Sequence, residues 1–284
     1  MNFIFGLIIV VACVGIGFVA SGGQLIALWH PFELLIILGA AFGAFIIANP
    51  MGVIKNTFGG IASLLKGSSH NKQLYMDLLT LLYGIFQKAR KEGLMSIEDD
   101  IEEPESSALF NAYPNIIKDH HVRDFITDYL RIIVGGNMNP FELENLMDVE
   151  LDNHHHEAET VPTAITRVSD GLPGFGIVAA VLGIVITMGS LGGPAEEIGA
   201  KVGAALVGTL LGILFAYGMV GPMANMIESR NAEEASFYQV IKVCLMANVN
   251  GYSPQIAIEF GRKAMPTAMR PSFADMETHL KEAK

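Results

Sequence analysis

Four long apolar runs, at residues 2–20, 34–49, 172–190 and 202–221, constrain this chain more than any other feature, and none has an acidic or basic side chain in its middle. A helix needs roughly 20 such residues to cross about 30 Å of hydrocarbon. Each run therefore reads as a membrane-spanning helix. The second is short at its strict limits and is expected to begin near Pro31. The composition leads the same way, since 51% hydrophobic and 17% charged residues leave more apolar surface than one water-soluble core can hide.

The first run lacks a basic leader and a small-residue cleavage site, so it is expected to be a retained span and not a secretion signal. Orientation follows from lysine and arginine. The loops 21–33 and 191–200 carry neither, and Lys201 sits at the edge of the fourth span, whereas Lys55 and Lys66 follow the second span, Arg167 precedes the third, and Arg230 and Lys242 follow the fourth. Both termini and the central segment are thus expected on the cytoplasmic side. A net charge of −11, from 29 acidic against 18 basic residues, argues against nucleic acid as a partner and against polybasic adhesion to anionic lipid. Cys13 and Cys244 fall in different compartments, which leaves no disulfide framework or zinc site to expect.

The chain divides on this reading into residues 1–50 with two spans and a short outer loop, 51–170 as a helical cytoplasmic domain, 171–222 with two more spans, and 223–284 as cytoplasmic C-terminal helices. The fold class is an all-α integral membrane protein. In the central domain Leu74, Leu78, Leu81, Leu82, Ile85 and Phe86 recur at helical spacing, and Gly93 supplies a left-handed stop. A second helix over 122–134 turns Phe125, Ile126, Tyr129, Leu130 and Ile133 inward and closes at Gly135 and Gly136. Asn139, Pro140 and Glu142 form a cap, first-turn proline and third-position acid that begin a further helix running toward His156. After Pro222 a charged amphipathic helix continues to about Ala247, before a turn at residues 250–254.

The spans lack the Asp, Glu, His or Lys that marks an ion path in a channel or transporter. What they offer is small residues: Gly176, Ala180, Gly183, Thr187 and Ser190 fall on one face of the third span, and Ala205, Thr209, Gly212 and Ala216 on one face of the fourth. Such a face suits either a helix from a partner chain or packing among this chain's own helices. By position alone Pro173 is a first-turn proline and Pro222 a terminator. His154, His155 and His156 point in different directions around a helix, so they are expected to be solvated and not to share a metal. Glu33 suits an outer helix start, and Glu196 and Glu197 are expected to be solvated.

The segments DGLPGFGIVAAVLGIV at 170–185, LVGTLLGIL at 206–214 and NGYSPQIAIEFGR at 250–262 closely resemble the MotA family of flagellar stator subunits, as do YMDLL at 75–79 and DYLRI at 128–132. The resemblance covers nearly the whole chain. It implies five copies of this subunit around two copies of MotB, a single-span, peptidoglycan-anchored protein whose span carries the ion-binding aspartate. It also implies a bacterial inner-membrane location. In the family two prolines flank that aspartate and match Pro173 and Pro222, while the charges that act on the rotor protein FliG match Arg90 and Glu98, with Lys91, Glu92, Asp99 and Asp100 as neighbours. Without the family, Arg90 and Glu98 are two exposed ions.

Sodium-type relatives place threonines in both the third and fourth spans. The matching positions here are Ala180 and Thr209, and the missing oxygen at Ala180 favours a proton over sodium. No cofactor is implied. An ExbB- or TolQ-type energiser is a weaker match, having three spans and an outward N-terminus. A self-sufficient channel or transporter lacks its intramembrane ionisable group, and an enzyme lacks any nucleophile and base pair, phosphate loop or metal constellation. Purified alone in liposomes, the chain is expected to pass no appreciable proton or sodium current; a robust flux would contradict dependence on a partner.

Overall fold

The computed structural model describes residues 2–65, 70–136, 138–189 and 191–282, and among these every regular element is a helix. In chain order they are α1 (Asn2–Ala20), α2 (Pro31–Ala48), α3 (Met51–Ser63), α4 (Lys72–Glu92), α5 (Glu98–Glu102), α6 (Ala108–Asn111), α7 (Pro114–Ile117), α8 (His120–Gly135), α9 (Pro140–Met188), α10 (Ala195–Phe215), α11 (Gly221–Val249), α12 (Pro254–Ala264) and α13 (Phe273–Glu282). A π turn, Ala216–Val220, joins α10 to α11 without a break. Lys66, used above for orientation, and Ser190 lie outside the described residues.

Two compact units divide the chain: Met1–Gly67 with Glu157–Arg230, and Ser68–His156 with Asn231–Lys284. The helices α9 and α11 contribute residues to both. The first unit exposes much of its apolar surface, with Phe5 at 68%, Ile16 at 69% and Ile47 at 89% exposure. Large apolar exposure of this kind marks a surface that meets lipid or another protein. Four helical stretches, Phe3–Ala20, Leu25–Ala48, Pro140–Met188 and Ala195–Val249, contain segments long and apolar enough to cross a membrane.

Inside this unit Ile37 and Ala41 of α2 meet Leu172, Ala179 and Ala216, and a second cluster joins Leu64, Ile165, Met223, Ala224 and Ile227. The amphipathic helix α3 belongs here too. Its Thr57 is buried, and a Cβ on Gly60 would lie 3.3 Å from Val161 Cγ1 and 3.5 Å from Ile227 Cδ1. Arg230 Nη1 donates 2.5 Å to the Ser63 carbonyl.

The positional reading of the two prolines is corrected by the structure. The helix begun at Pro140 does not stop near His156 but runs 49 residues to Met188, with Pro162 and Pro173 in its interior. Pro222 likewise terminates nothing, because it is the second residue of α11, with Gly221 between it and the π turn. A proline inside a helix costs one ladder hydrogen bond and about 3 kcal/mol or more. Here Ala164, Ile165, Ser169 and Leu172 are buried between the two prolines and Ala179 is buried beyond Pro173, so packing continues on both sides of the interrupted turn.

The second unit has a closed core in which Tyr75, Leu78, Leu82 and Phe86 of α4 pack with Phe125 and Ile126 of α8, Phe237, Ile241 and Leu245 of α11, and Ile258 of α12. Full burial of each such aliphatic or aromatic side chain contributes about 1.5–3 kcal/mol. Helix ends follow their local chemistry. Asn71 Oδ1 accepts from Leu74 N at 2.9 Å, and Asp119 Oδ1 accepts from Val122 N at 3.2 Å. Asn139 and Glu142 form the reciprocal capping box at 2.9 and 3.5 Å. Gly93 and Gly136 take φ values of 95° and 67°, which side chains rarely adopt.

After the turn at Gly251, α12 carries a buried Arg262 whose guanidinium donates to both Glu259 oxygens, at 2.6 and 2.7 Å, and to the Pro271 carbonyl at 2.8 Å. Its neighbour Gly261 is required by contact, because a Cβ there would collide with Cys244 Sγ and come within 2.9 Å of Leu79 Cδ2. Gly261→Ala is expected to lower the unfolding free energy by about 1–3 kcal/mol, the usual cost of overpacking, measured by thermal unfolding. Gly59→Ala, where nothing lies within 4 Å of the added Cβ, serves as the control and is expected to cost nothing.

Candidate functional site

The small-residue faces of α9 and α10 are used within the chain. A Cβ on Gly176 would lie 3.0 Å from Gly208 O and 3.2 Å from Gly212 Cα, and one on Gly212 would lie 2.7 Å from Leu172 O. A Cβ on Gly183 would lie 2.9 Å from Ala205 Cβ. Glycine and alanine thus let the two backbones approach to contact, which is how helices associate where lipid removes the hydrophobic drive.

Ala180 and Thr209, the positions that the resemblance ties to ion preference, are half-buried beside this contact. A Cβ on Gly208 would lie 3.6 Å from the Ala180 nitrogen, and one on Gly176 would lie 3.4 Å from Thr209 Cα. Thr187 is buried and its Oγ1 donates 2.8 Å to Gly183 O in its own helix, which commits its proton but not its lone pairs. Pro173 is half-buried and Pro222 exposed. Near the π turn, Ser169 Oγ donates 2.8 Å to the Ala216 carbonyl.

At the start of α2, Glu33 falls in the first turn, with His30 Nδ1 3.7 Å from its carboxylate. Lys201 pairs with Glu197 at 2.8 Å. Neither carboxylate enters the middle of a span.

In the second unit Arg90 lies in the last turn of α4 and Glu98 opens α5, with the Gly93 turn and residues 94–97 between them. Both are exposed, as are Lys91, Glu92 and Asp99. Asp100 is different. It points inward at 8% exposure, where it accepts from Lys88 Nζ at 2.7 Å and from Ser107 Oγ at 2.6 Å. Hydrogen bonding to Asp100 holds the Lys88 ammonium above the usual lysine range.

A five-residue helix cannot hold itself in water. Besides Asp100, α5 is anchored by buried Ile97 at its start and Ile101 within it, and Arg131 of α8 grips both Glu102 oxygens at 2.6 and 3.2 Å. That grip holds the Glu102 carboxyl below the usual carboxylate range. The exposed charges of α5 therefore stand on a fixed mount.

The three consecutive histidines diverge. His154 faces Glu234 at 3.6 Å and lies tilted against Tyr238 with ring centroids 4.9 Å apart, while His155 and His156 are exposed. Among the described residues no three His, Cys, Asp or Glu side chains gather in a metal-binding group.

Similarity to known proteins runs the length of the chain. The family described as Motility protein A N-terminal matches residues 4–93, and the MotA/TolQ/ExbB proton channel family matches residues 117–240. Motility protein A of Salmonella typhimurium is 46% identical over 284 residues, covering 100% of this chain and 96% of that one. Motility protein A of Escherichia coli K12 is also 46% identical over the same coverage. Chemotaxis protein LafT of Vibrio parahaemolyticus is 38% identical, covering 98% and 97% of the two chains.

Among solved structures, the fold matches C. jejuni MotAB with a TM-score of 0.80 and 18% identity, over 96% of this chain and 98% of that one. It also matches the flagellar MotAB stator complex of Bacillus subtilis with a TM-score of 0.72 and 25% identity, over 90% and 92%. The chain belongs to the Motility protein A family, within a class of membrane proton-channel subunits.

Asp100→Ala leaves Lys88 and Ser107 without their acceptor, and is expected to cost about 1–3 kcal/mol of stability. A lysine held above its ordinary value contributes stability below that value and loses it as pH rises through the raised one. The cost should therefore be equal at pH 6 and pH 9 in thermal unfolding, and begin to shrink only above the ordinary lysine range.

Proposed function

We propose that this chain is the channel-forming subunit of a flagellar motor stator, working with a MotB-like partner whose single span carries the ion-binding carboxylate. The full-length 46% identity to Motility protein A carries this reading. Spans without an ionisable group in their middles support it, because ion coupling then needs a carboxylate from elsewhere.

The four spans cross the bacterial inner membrane, with both termini and the segment between the second and third spans in the cytoplasm. The lysine and arginine distribution supports that orientation. Five copies surround two partner chains, and Pro173 and Pro222 flank the partner's carboxylate. Protonation of that carboxylate removes its charge, changes its contacts with the surrounding helices and lets the ring step. The step delivers torque to FliG through Arg90 and Glu98, and their exposure on either side of the Gly93 turn supports this role. No catalysis and no cofactor are involved.

The proton is the driving ion on this reading. A sodium ion must trade its hydration for oxygen ligands, and the methyl group of Ala180 offers none beside Thr209. With this stator as the only one present, rotation is expected to persist in sodium-free medium and to stop with a protonophore. The opposite pattern would refute the assignment.

Charge reversal tests the rotor contact. Arg90→Glu or Glu98→Lys is expected to impair rotation while leaving membrane protein levels intact, since reversing an exposed charge costs little folding stability but inverts the sign of a contact. Compensating reversals on FliG should restore part of the motility. Loss explained wholly by absent protein would count against the assignment.

A further inference from the structure

Helical serine and threonine hydroxyls commonly turn back onto the carbonyl one turn earlier. In this chain Thr57, Thr187 and Ser229 do so, onto Val53, Gly183 and Asn225. Ser169 does not. Its Oγ donates 2.8 Å across to the Ala216 carbonyl, and the two residues are only 3% and 0% exposed.

The two ends of this bond are the weak points of the two helical rods. Proline has no N–H, so Pro173 offers nothing to the Ser169 carbonyl four residues before it. In the other rod the ladder slips into the π turn, where Gly221 N–H donates to Ala216 O five residues back, and Pro222 follows at once. The Ala216 carbonyl thus receives two donors, one for each lone pair. Gly221 leaves the room, because a Cβ there would lie 3.1 Å from Ala216 O and 3.2 Å from Ser169 Oγ. π turns inside helices are frequent at functional sites, and a helix bends where its ladder is interrupted.

We propose that Ser169 is a positioning residue that couples the two proline breaks. Its hydroxyl ties the π turn before Pro222 to the interrupted turn before Pro173, so that the third and fourth spans bend as one when the ion site loads and empties. This rests on the reading that those prolines flank the partner's carboxylate. Without the hydroxyl each rod bends on its own, and less of the ion-driven displacement reaches the rotor.

The test is Ser169→Ala, which removes the donor with almost no change of volume, in the complete stator with its partner chain. In the purified complex, hydrogen exchange of the Gly221 amide is expected to quicken roughly two- to tenfold, the factor that one net hydrogen bond supplies. In cells lacking other stators, the torque gained per incorporated unit, read as the height of successive speed steps, is expected to fall while the number of steps stays the same. A merely structural serine would reduce the number of steps and leave their height unchanged. That outcome, or unaltered exchange at Gly221, would overturn the proposal. Pro173→Ala and Pro222→Ala run beside it: step heights unchanged in both would sink the proline reading itself, whatever Ser169→Ala does.

Discussion

The backbone contact between α9 and α10 is the interaction on which the first unit depends. With a notional Cβ on Gly212 2.7 Å from the Leu172 carbonyl, and one on Gly176 3.0 Å from the Gly208 carbonyl, these two positions have room for nothing larger than hydrogen. In lipid such contacts replace the hydrophobic effect as the source of association. The crossing also leaves Ala180 and Thr209 beside it and brings Ser169 to Ala216. A face that could have served a partner helix is in large part spent inside the chain, so any helix from a second protein must use what remains exposed.

The second unit is built on a different principle. Its core is closed by ordinary burial of leucine, isoleucine and aromatic side chains, and its short α5 is held both by buried Ile97 and Ile101 and by ion pairs. Lys88, Asp100 and Ser107 form one anchor, and Arg131 with Glu102 another. Three consecutive acids, Glu98, Asp99 and Asp100, therefore do different work: the first two face solvent, and the third is an internal fastening. On the stator reading, this is how an exposed charge can transmit force without its own short helix giving way.

Much of this was legible in the residues themselves. The apolar runs mark the spans, the leucine spacing marks α4, and Gly93 and Gly136 sit where positive φ is needed. The Asn139 and Glu142 box is also where local chemistry places it. The prolines misled, because propensity is local while Pro173 and Pro222 are carried through their helices by packing from elsewhere in the unit. The π turn left no sequence signal, since it is a slip in hydrogen bonding and not a residue type. Asp100 could not be told from Glu98 by composition, because its partners lie 12 residues before it and 7 after. Thr187 stands on the small-residue face, but its hydroxyl proton turns back to Gly183 in its own helix instead of crossing to a neighbour. The Glu259 and Arg262 pair has the local i,i+3 spacing of one helix, whereas the Pro271 carbonyl reaches Arg262 only through the turn after α12.

On the stator reading, the spans of this chain supply a frame and a second protein supplies the ion-binding group. Native mass spectrometry of the complex extracted from membranes, with the chain expressed beside its single-span partner, measures this most directly. Five copies of this chain bound to two of the partner are expected. A stable assembly of this chain alone, or one in which the two proteins are present in equal number, would contradict it.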